Sequence, residues 1–274
     1  MNYIEFDFTP EDKLQQEQLI ALLSEEGFEG FEETPGTLKA FIKEEDWQEP
    51  RFYDIMGLFP GLKYCQEIVE NRNWNEQWES SFEPVLVNDF AAIRASFHEP
   101  ITTVKHEIVI TPKMSFGTGH HATTYLMMEQ MAEIDFTGKT VIDFGTGTGV
   151  LAILAEKLGA EKIEALDNDE WSIDNSRENI DANACKRIHL YKAETIEPSV
   201  KADIILANIN LNVITANLDA ITAVCKPDTV VLFSGLLATD KDIIIPRLEN
   251  NNLAIIGVFE RNNWLAIKTK YTDC

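Results

Sequence analysis

The run Val141-Ile142-Asp143-Phe144, followed by Gly145-Thr146-Gly147-Thr148-Gly149, limits what this chain can fold into more than any other stretch. Its first half is short, apolar and opens on a β-branched residue, the pattern of a strand buried on both faces. Glycine at alternate positions cannot extend that strand, but it allows a tight turn and lets another group approach bare backbone. Val150-Leu151-Ala152-Ile153-Leu154-Ala155-Glu156-Lys157-Leu158-Gly159 then reads as a helix, apolar at helical spacing and closed by glycine. A buried strand passing through glycines into a helix opens an α/β unit built on a parallel sheet. The first N–H groups of that helix lack intrahelical partners and favour a negative or polar ligand group.

The spacing of the glycines bears on which ligand. The dinucleotide fingerprint G-x-G-x-x-G would put its third glycine at Val150. The observed G-x-G-x-G resembles the AdoMet-binding loop of class I methyltransferases. Lys162-Ile163-Glu164-Ala165-Leu166-Asp167 reads as a second strand ending in a carboxylate. An acid there, roughly 20 residues past the first glycine, accepts hydrogen bonds from ribose hydroxyls. NAD and AdoMet both carry such a ribose, so Asp167 points to adenosine without choosing between them, and the glycine spacing chooses. A glycine turn with no ligand is the remaining alternative.

The 274 residues suffice for one large domain or a medium one beside a small one, with 45% hydrophobic residues to fill the cores. A formal net charge of −23 argues against direct nucleic-acid binding, which needs clustered Lys and Arg. It suits a basic partner, or plain solubility. Cys65, Cys185, Cys225 and Cys274 have no metal-ligand spacing and read as reduced thiols of a cytoplasmic protein. The first residues carry no signal-peptide pattern, and no apolar run nears the ~20 residues of a membrane span.

Residues 1–70 have their own rhythm. Residues 3–8 alternate as a strand, and a helix is expected from a Thr9 N-cap with Pro10 at its first position to about Glu26. Strands at 28–33 and 38–43 flank a Pro35-Gly36 turn, a helix at 47–58 follows, and a strand at 64–69 closes the set. The order βαββαβ predicts a ferredoxin-like α+β domain, either a recognition module or a structural appendage. Trp74 and Trp78 would share one face of a short linker helix, for packing between domains or for substrate contact. A hairpin around Asn88-Asp89 and a short strand at 107–111 come next. Then Ser115-Phe116-Gly117-Thr118-Gly119-His120-His121-Ala122-Thr123-Thr124 precedes a helix expected at 125–134. So polar a loop either caps the helix, with Thr123 or Thr124 as the expected cap, or holds a ligand. Two adjacent histidines without further ligands do not make a metal site.

These residues carry a family resemblance over essentially the whole chain: it is similar to the ribosomal protein L11 methyltransferase family. The resemblance rests on Trp74 and Trp78, the loop 116–124, the glycine loop 143–149, Asp167, and Ala207-Asn208-Ile209. The chain has Ala122 where the family usually has proline, and His120 where it has threonine. Thr146 and Thr148 replace the more frequent Cys and Ser, and Asn210 replaces a Leu. The resemblance implies a recognition domain at 1–70, a helical linker at 71–84 and an AdoMet-dependent methyltransferase domain at 85–274. It implies methylation of lysine side-chain and N-terminal α-amino groups of ribosomal protein L11. Thr124, Gly145, Asp167 and Asn208 would bind AdoMet, joined by Gly147 of the same loop. Asn208 is the expected catalytic residue. No metal is expected, and the state expected is a cytoplasmic monomer. His120 or His121 could serve as a general base, but surface packing is the reading preferred for both.

The remaining pattern is consistent. A helix opens at Asp169 or Glu170 and runs to about Ala182, with strands at 188–191 and 203–207, the latter ending at Asn208. Glu194 is a candidate adenine contact or a solvated acid. A helix at 211–225, a strand at 229–234 and a helix at 240–248 precede strands at 253–259 and 264–269. The short link at Arg261-Asn262-Asn263 demands an antiparallel pair, because parallel strands need a long crossover. The fold class expected is therefore α/β, a Rossmann-like seven-stranded class I methyltransferase sheet with an antiparallel last strand, plus the N-terminal ferredoxin-like domain.

Overall fold

The computed structural model describes residues 3–10, 12–28, 30–34, 36–69, 83–111, 120–197 and 200–273. They group into two compact units, Met1–Ser81 and Phe82–Cys274. The linker helix expected at 71–84, with Trp74 and Trp78, lies almost wholly outside the described residues, as does 112–119 of the polar loop.

In the first unit β1 (Tyr3–Thr9), β2 (Gly30–Thr34), β3 (Thr37–Lys43) and β4 (Lys63–Val69) form an antiparallel sheet in the order β2-β3-β1-β4. Helices α1 (Lys13–Glu25) and α2 (Glu49–Met56) complete the βαββαβ order of a ferredoxin-like sandwich. Alternation puts Ile4, Phe6 and Phe8 of β1 in the core, and the Phe6 ring lies 4.6 Å from Phe52 and 4.9 Å from Trp47. The N-cap of α1 departs from expectation. Thr9 stays in β1, paired with Lys63, and Asp12 caps the helix by accepting from the Gln15 N–H at 2.8 Å. The ladder claims Thr9, and a carboxylate three residues on is the stronger cap.

The second unit begins with β5 (Val85–Val87), β6 (Ala91–Ala95) and β7 (His106–Ile110), a small sheet in which β6 and β7 run parallel. Helix α3 (Ala122–Met131) leads to β8 (Thr140–Phe144), α4 (Val150–Lys157), β9 (Lys162–Asp167), α5 (Glu170–Ala182), β10 (Ile188–Lys192) and β11 (Ala202–Asn208). The helix expected at 211–225 is two short ones, α6 (Leu211–Ala216) and α7 (Leu218–Ala223), separated at Asn217. β12 (Cys225–Leu237), α8 (Lys241–Asn250), β13 (Leu253–Arg261) and β14 (Trp264–Tyr271) finish the chain.

The main sheet is ordered β10-β9-β8-β11-β12-β14-β13. It is parallel from β10 to β12, and β14 is antiparallel to both β12 and β13. Asn262 and Asn263 take φ of 50° and 63°, the left-handed pair of a two-residue hairpin turn. The sheet is buried on both faces: Val141 packs into one core layer, and Ile142 and Phe144 into the other. This directs the carboxyl ends of β8, β9 and β11 to one common edge.

Asp12→Ala should cost about 1 kcal/mol of local stability. Hydrogen exchange should show faster opening of the first turn of α1, with no such change for Thr9→Ala.

Candidate active site

At the carboxyl end of β8 the chain turns through Gly145, Gly147 and Gly149, with φ of 76°, 58° and 81°. All lie in the left-handed region open to glycine. The loop is tied to the neighbouring strand: the Gly145 and Thr146 N–H groups both donate to the Leu166 carbonyl at 2.9 Å. Gly147 N–H donates to Asp167 Oδ2 at 2.9 Å, and Asp169 N–H to Asp167 Oδ1 at 3.0 Å. A carboxylate offers about four lone-pair sites, so the Asp167 oxygens keep capacity for two more donors.

Beneath the loop Asp143 is buried, and its Oδ2 accepts from the Thr146 hydroxyl at 2.7 Å and the Ala152 N–H at 3.1 Å. Burial pushes the Asp143 carboxyl up to about 7 against the pull of those two hydrogen bonds, and the nearby Asp167 charge adds to the rise.

Opposite the loop, at the end of β11, Asn208 Nδ2 lies 3.4 Å from Thr124 Oγ1. Asn208 Oδ1 is buried and has no hydrogen-bond partner among the described residues. A buried acceptor left unpaired costs roughly 1–3 kcal/mol, which marks this atom as a place for a donor. A cavity of about 520 Å³ opens between these elements, within the usual range for ligand sites. Gly145, Gly147, Asp167 and Asn208 all line it. Thr124 lines a small crevice that shares Gly145, Gly147 and Asn208. Four of the five expected site residues thus border one cavity, and the fifth, Thr124, lines the small crevice that shares three of them. Glu194 lines the cavity too.

The described end of the polar loop, residues 120–124, differs from expectation. Helix α3 begins at Ala122, and His121 is its N-cap, accepting from the Thr123 N–H through Nδ1. Thr123 and Thr124 fall inside the first turn and are buried, so neither is the cap. The His121 ring meets Trp264 edge-on at 4.4 Å, and burial holds its pKa below the ordinary histidine value. His120 Nε2 sits 2.9 Å from the Glu83 carbonyl oxygen.

Trp264 and Gly235 are among the cavity residues that the sequence pattern did not single out. Trp264 opens β14 in the wall of the cavity. Gly235 lies inside β12, has φ of 80°, and a Cβ there would stand 2.3 Å from the Ile209 carbonyl oxygen. A glycine within a strand signals close backbone approach, and that was the signal available.

A parallel sheet with this strand order and antiparallel final hairpin, a glycine loop after β8 and an acid after β9, is the arrangement of a class I AdoMet-dependent methyltransferase. The comparisons narrow the class. The family model for ribosomal protein L11 methyltransferase (PrmA) matches residues 7–272. The ribosomal protein L11 methyltransferase of Phocaeicola vulgatus is 35% identical over 277 residues, 98% of this chain and 99% of that one. That of Chlorobaculum tepidum is 37% identical over 281 residues, 97% and 95% of the two chains. The crystal structure of the ribosomal protein L11 methylase from Lactobacillus delbrueckii subsp. bulgaricus superposes with a TM-score of 0.65 at 27% identity. It covers 70% of this chain and 100% of that one. The chain belongs to the ribosomal protein L11 methyltransferase family.

Two outcomes follow from this geometry. A raised carboxyl pKa means the folded state holds the Asp143 proton more tightly than the unfolded chain. Its contribution to stability is therefore full below about pH 4 and lost as pH rises through about 7. Denaturant titrations should give Asp143→Asn a shallower fall across that window than the wild type. Gly235→Ala should cost at least roughly 1–3 kcal/mol, because the obstructing atom is backbone. Gly138→Ala, at φ of 67° with nothing within 4 Å of the new Cβ, should show backbone strain alone.

Proposed function

We propose that the cavity at the ends of β8, β9 and β11 is where this chain methylates ribosomal protein L11, with AdoMet and a substrate amino group meeting at Asn208. The observation that carries the reading is Asn208 Oδ1, buried beside a cavity of nucleoside size with no partner among the described residues. AdoMet, when bound, supplies a methyl group on a cationic sulfur, a donor already activated toward an amine lone pair.

The residues present fit that cofactor. Asp167 uses one hydrogen bond on each oxygen for the main chain and has one lone pair on each for the two ribose hydroxyls. Gly145 and Gly147 present backbone without side chains to the ligand. Thr124 stands at the Nδ2 side of the Asn208 amide, so Oδ1 is the end that takes a donor.

The substrate amine sets the harder problem. A lysine of pKa ~10.4 is only about 0.04% neutral at pH 7, a cost of about 4.6 kcal/mol. Phe144, Ala193, Ile209, Val213 and Trp264 line the cavity and desolvate an ammonium, which lowers its pKa. Asn208 Oδ1 accepts an N–H of the amine and turns its lone pair toward the methyl group. In-line placement supplies the remainder. The groups methylated are lysine side chains and the N-terminal α-amine.

Residues 1–70 are assigned to recognition of L11, for which the acidic charge of the chain, −23, suits a basic protein. The same charge argues against direct nucleic-acid contact. Among the described residues no helix is long and apolar enough to cross a membrane. The working state proposed is a cytoplasmic monomer, which sedimentation would check.

Incubation of L11 with this protein and AdoMet should add mass in steps of one methylene, read by mass spectrometry. Asn208→Ala should slow single-turnover methylation about a hundredfold. Full speed in that variant would remove Asn208 from the mechanism. Asp167→Ala should weaken AdoMet binding about tenfold or more, measured by calorimetry.

A further inference from the structure

Helix α5 buries three polar side chains: Asn175, Ser176 and Asn179, each 0% exposed. None of the three lines the cavity. Burying amides and hydroxyls is costly unless they are paired, so their partners define their purpose. Ser176 Oγ donates to the Gly147 carbonyl at 2.6 Å. Asn179 Nδ2 donates to the Thr148 carbonyl at 2.8 Å and to Asn175 Oδ1 at 2.8 Å. Asn179 Oδ1 accepts the Thr111 N–H at 2.8 Å.

The amide of Asn179 can face only one way. The Thr148 carbonyl can only accept and the Thr111 N–H can only donate, so a flipped amide would lose both bonds. Asn175 adds a second acceptor on the nitrogen side. Its own Nδ2 is buried with no partner among the described residues, while its Oδ1 accepts from Asn179.

Two successive carbonyls of the glycine loop are thus drawn toward α5. Peptide units are planar and trans, so fixing a carbonyl fixes the opposite direction of the N–H that shares its plane. Ser176 and Asn179 therefore set the tilt of the 147–148 and 148–149 peptides from behind. Glycines alone would not do this, because the freedom that lets them make the turn lets them leave it. Gly149 is packed for the same purpose: a Cβ there would meet Ser176 Oγ at 3.3 Å.

We infer that Ser176 and Asn179 are positioning residues for the cofactor: they hold the glycine loop in its ligand-ready shape without touching the ligand. Asn179 also ties that loop to Thr111, just beyond β7. The inference rests on the AdoMet reading above.

Asn183, one turn further along, is the built-in control. Its side chain donates to the Val109 carbonyl at 2.6 Å and to the Asn179 main-chain carbonyl at 2.8 Å, and accepts the Val109 N–H at 3.0 Å, so it pins β7 to the end of α5 and reaches nothing in the loop. Calorimetric titration of the full chain with AdoMet, together with thermal unfolding of the ligand-free proteins, separates the roles. Asn179→Ala should raise the Kd for AdoMet about tenfold, the effect of one well-made hydrogen bond. Asn183→Ala should lower Tm and leave Kd within about twofold. If Asn179→Ala does not fold, Ser176→Ala, which releases only the Gly147 carbonyl, takes its place with the same expected direction. Wild-type Kd in the folded variant, or an equal loss of affinity in Asn183→Ala, overturns the inference. Failure of the wild type itself to bind AdoMet would instead overturn the cofactor reading.

Discussion

The hydrogen bonds from Gly145, Thr146 and Gly147 to the Leu166 carbonyl and the Asp167 carboxylate join the first strand-to-helix turn to the end of the adjacent strand. Parallel pairing of β8 with β9 brings the two ends level, with Phe144 opposite Leu166, one residue short of both the turn and the acid. Without that register the carboxylate would not reach the loop, and neither would stand beside Asn208. Pairing of β8 with β11 supplies the other half: Ala207 lies opposite Phe144, so Asn208 emerges at the same edge as Gly145. One sheet edge, level across three strands, thus assembles groups that are more than sixty residues apart in sequence.

The site is held from several sides. Asp143 anchors Thr146 and the start of α4 from below, at the electrostatic cost of a buried carboxyl. Helix α5 holds the Gly147 and Thr148 carbonyls from behind. Gly235 lets the Ile209 backbone lie against β12, and Ile209 is in turn the residue that a side chain at Gly145 would strike, at 2.3 Å. Two glycines, one in the loop after β8 and one within β12, therefore make room for one isoleucine in the wall of the cavity. An acceptor at Asn208 that is unpaired among the described residues, amid so much pairing, is the kind of local inconsistency found at functional positions.

Much of this was legible in residues close together in sequence. Alternation in β1 and the short link before β14 each report local backbone requirements, and both elements formed where expected. The boundaries moved where a longer-range partner intervened. Thr9 was claimed by the ladder with β4, which moved the α1 cap to Asp12. Helix α3 started three residues early because the His121 ring, packed against Trp264 from the far end of the chain, supplied the cap. The break at Asn217 left no signal as strong as proline or glycine, since asparagine is tolerated inside helices.

By itself the sequence determined the kind of sheet, the adenosine-type loop and acid, and the antiparallel ending, because these depend on side-chain period, on glycine's access to positive φ and on the length of a link. Only the tertiary structure decided that Gly145, Gly147, Asp167 and Asn208 share one cavity with Trp264 and Gly235. It alone decided that Asn179 faces the loop while Asn183 faces β7. Such facts depend on strand register and on which buried donor meets which carbonyl, and those are settled only when distant segments pack and every interior polar group must find a partner.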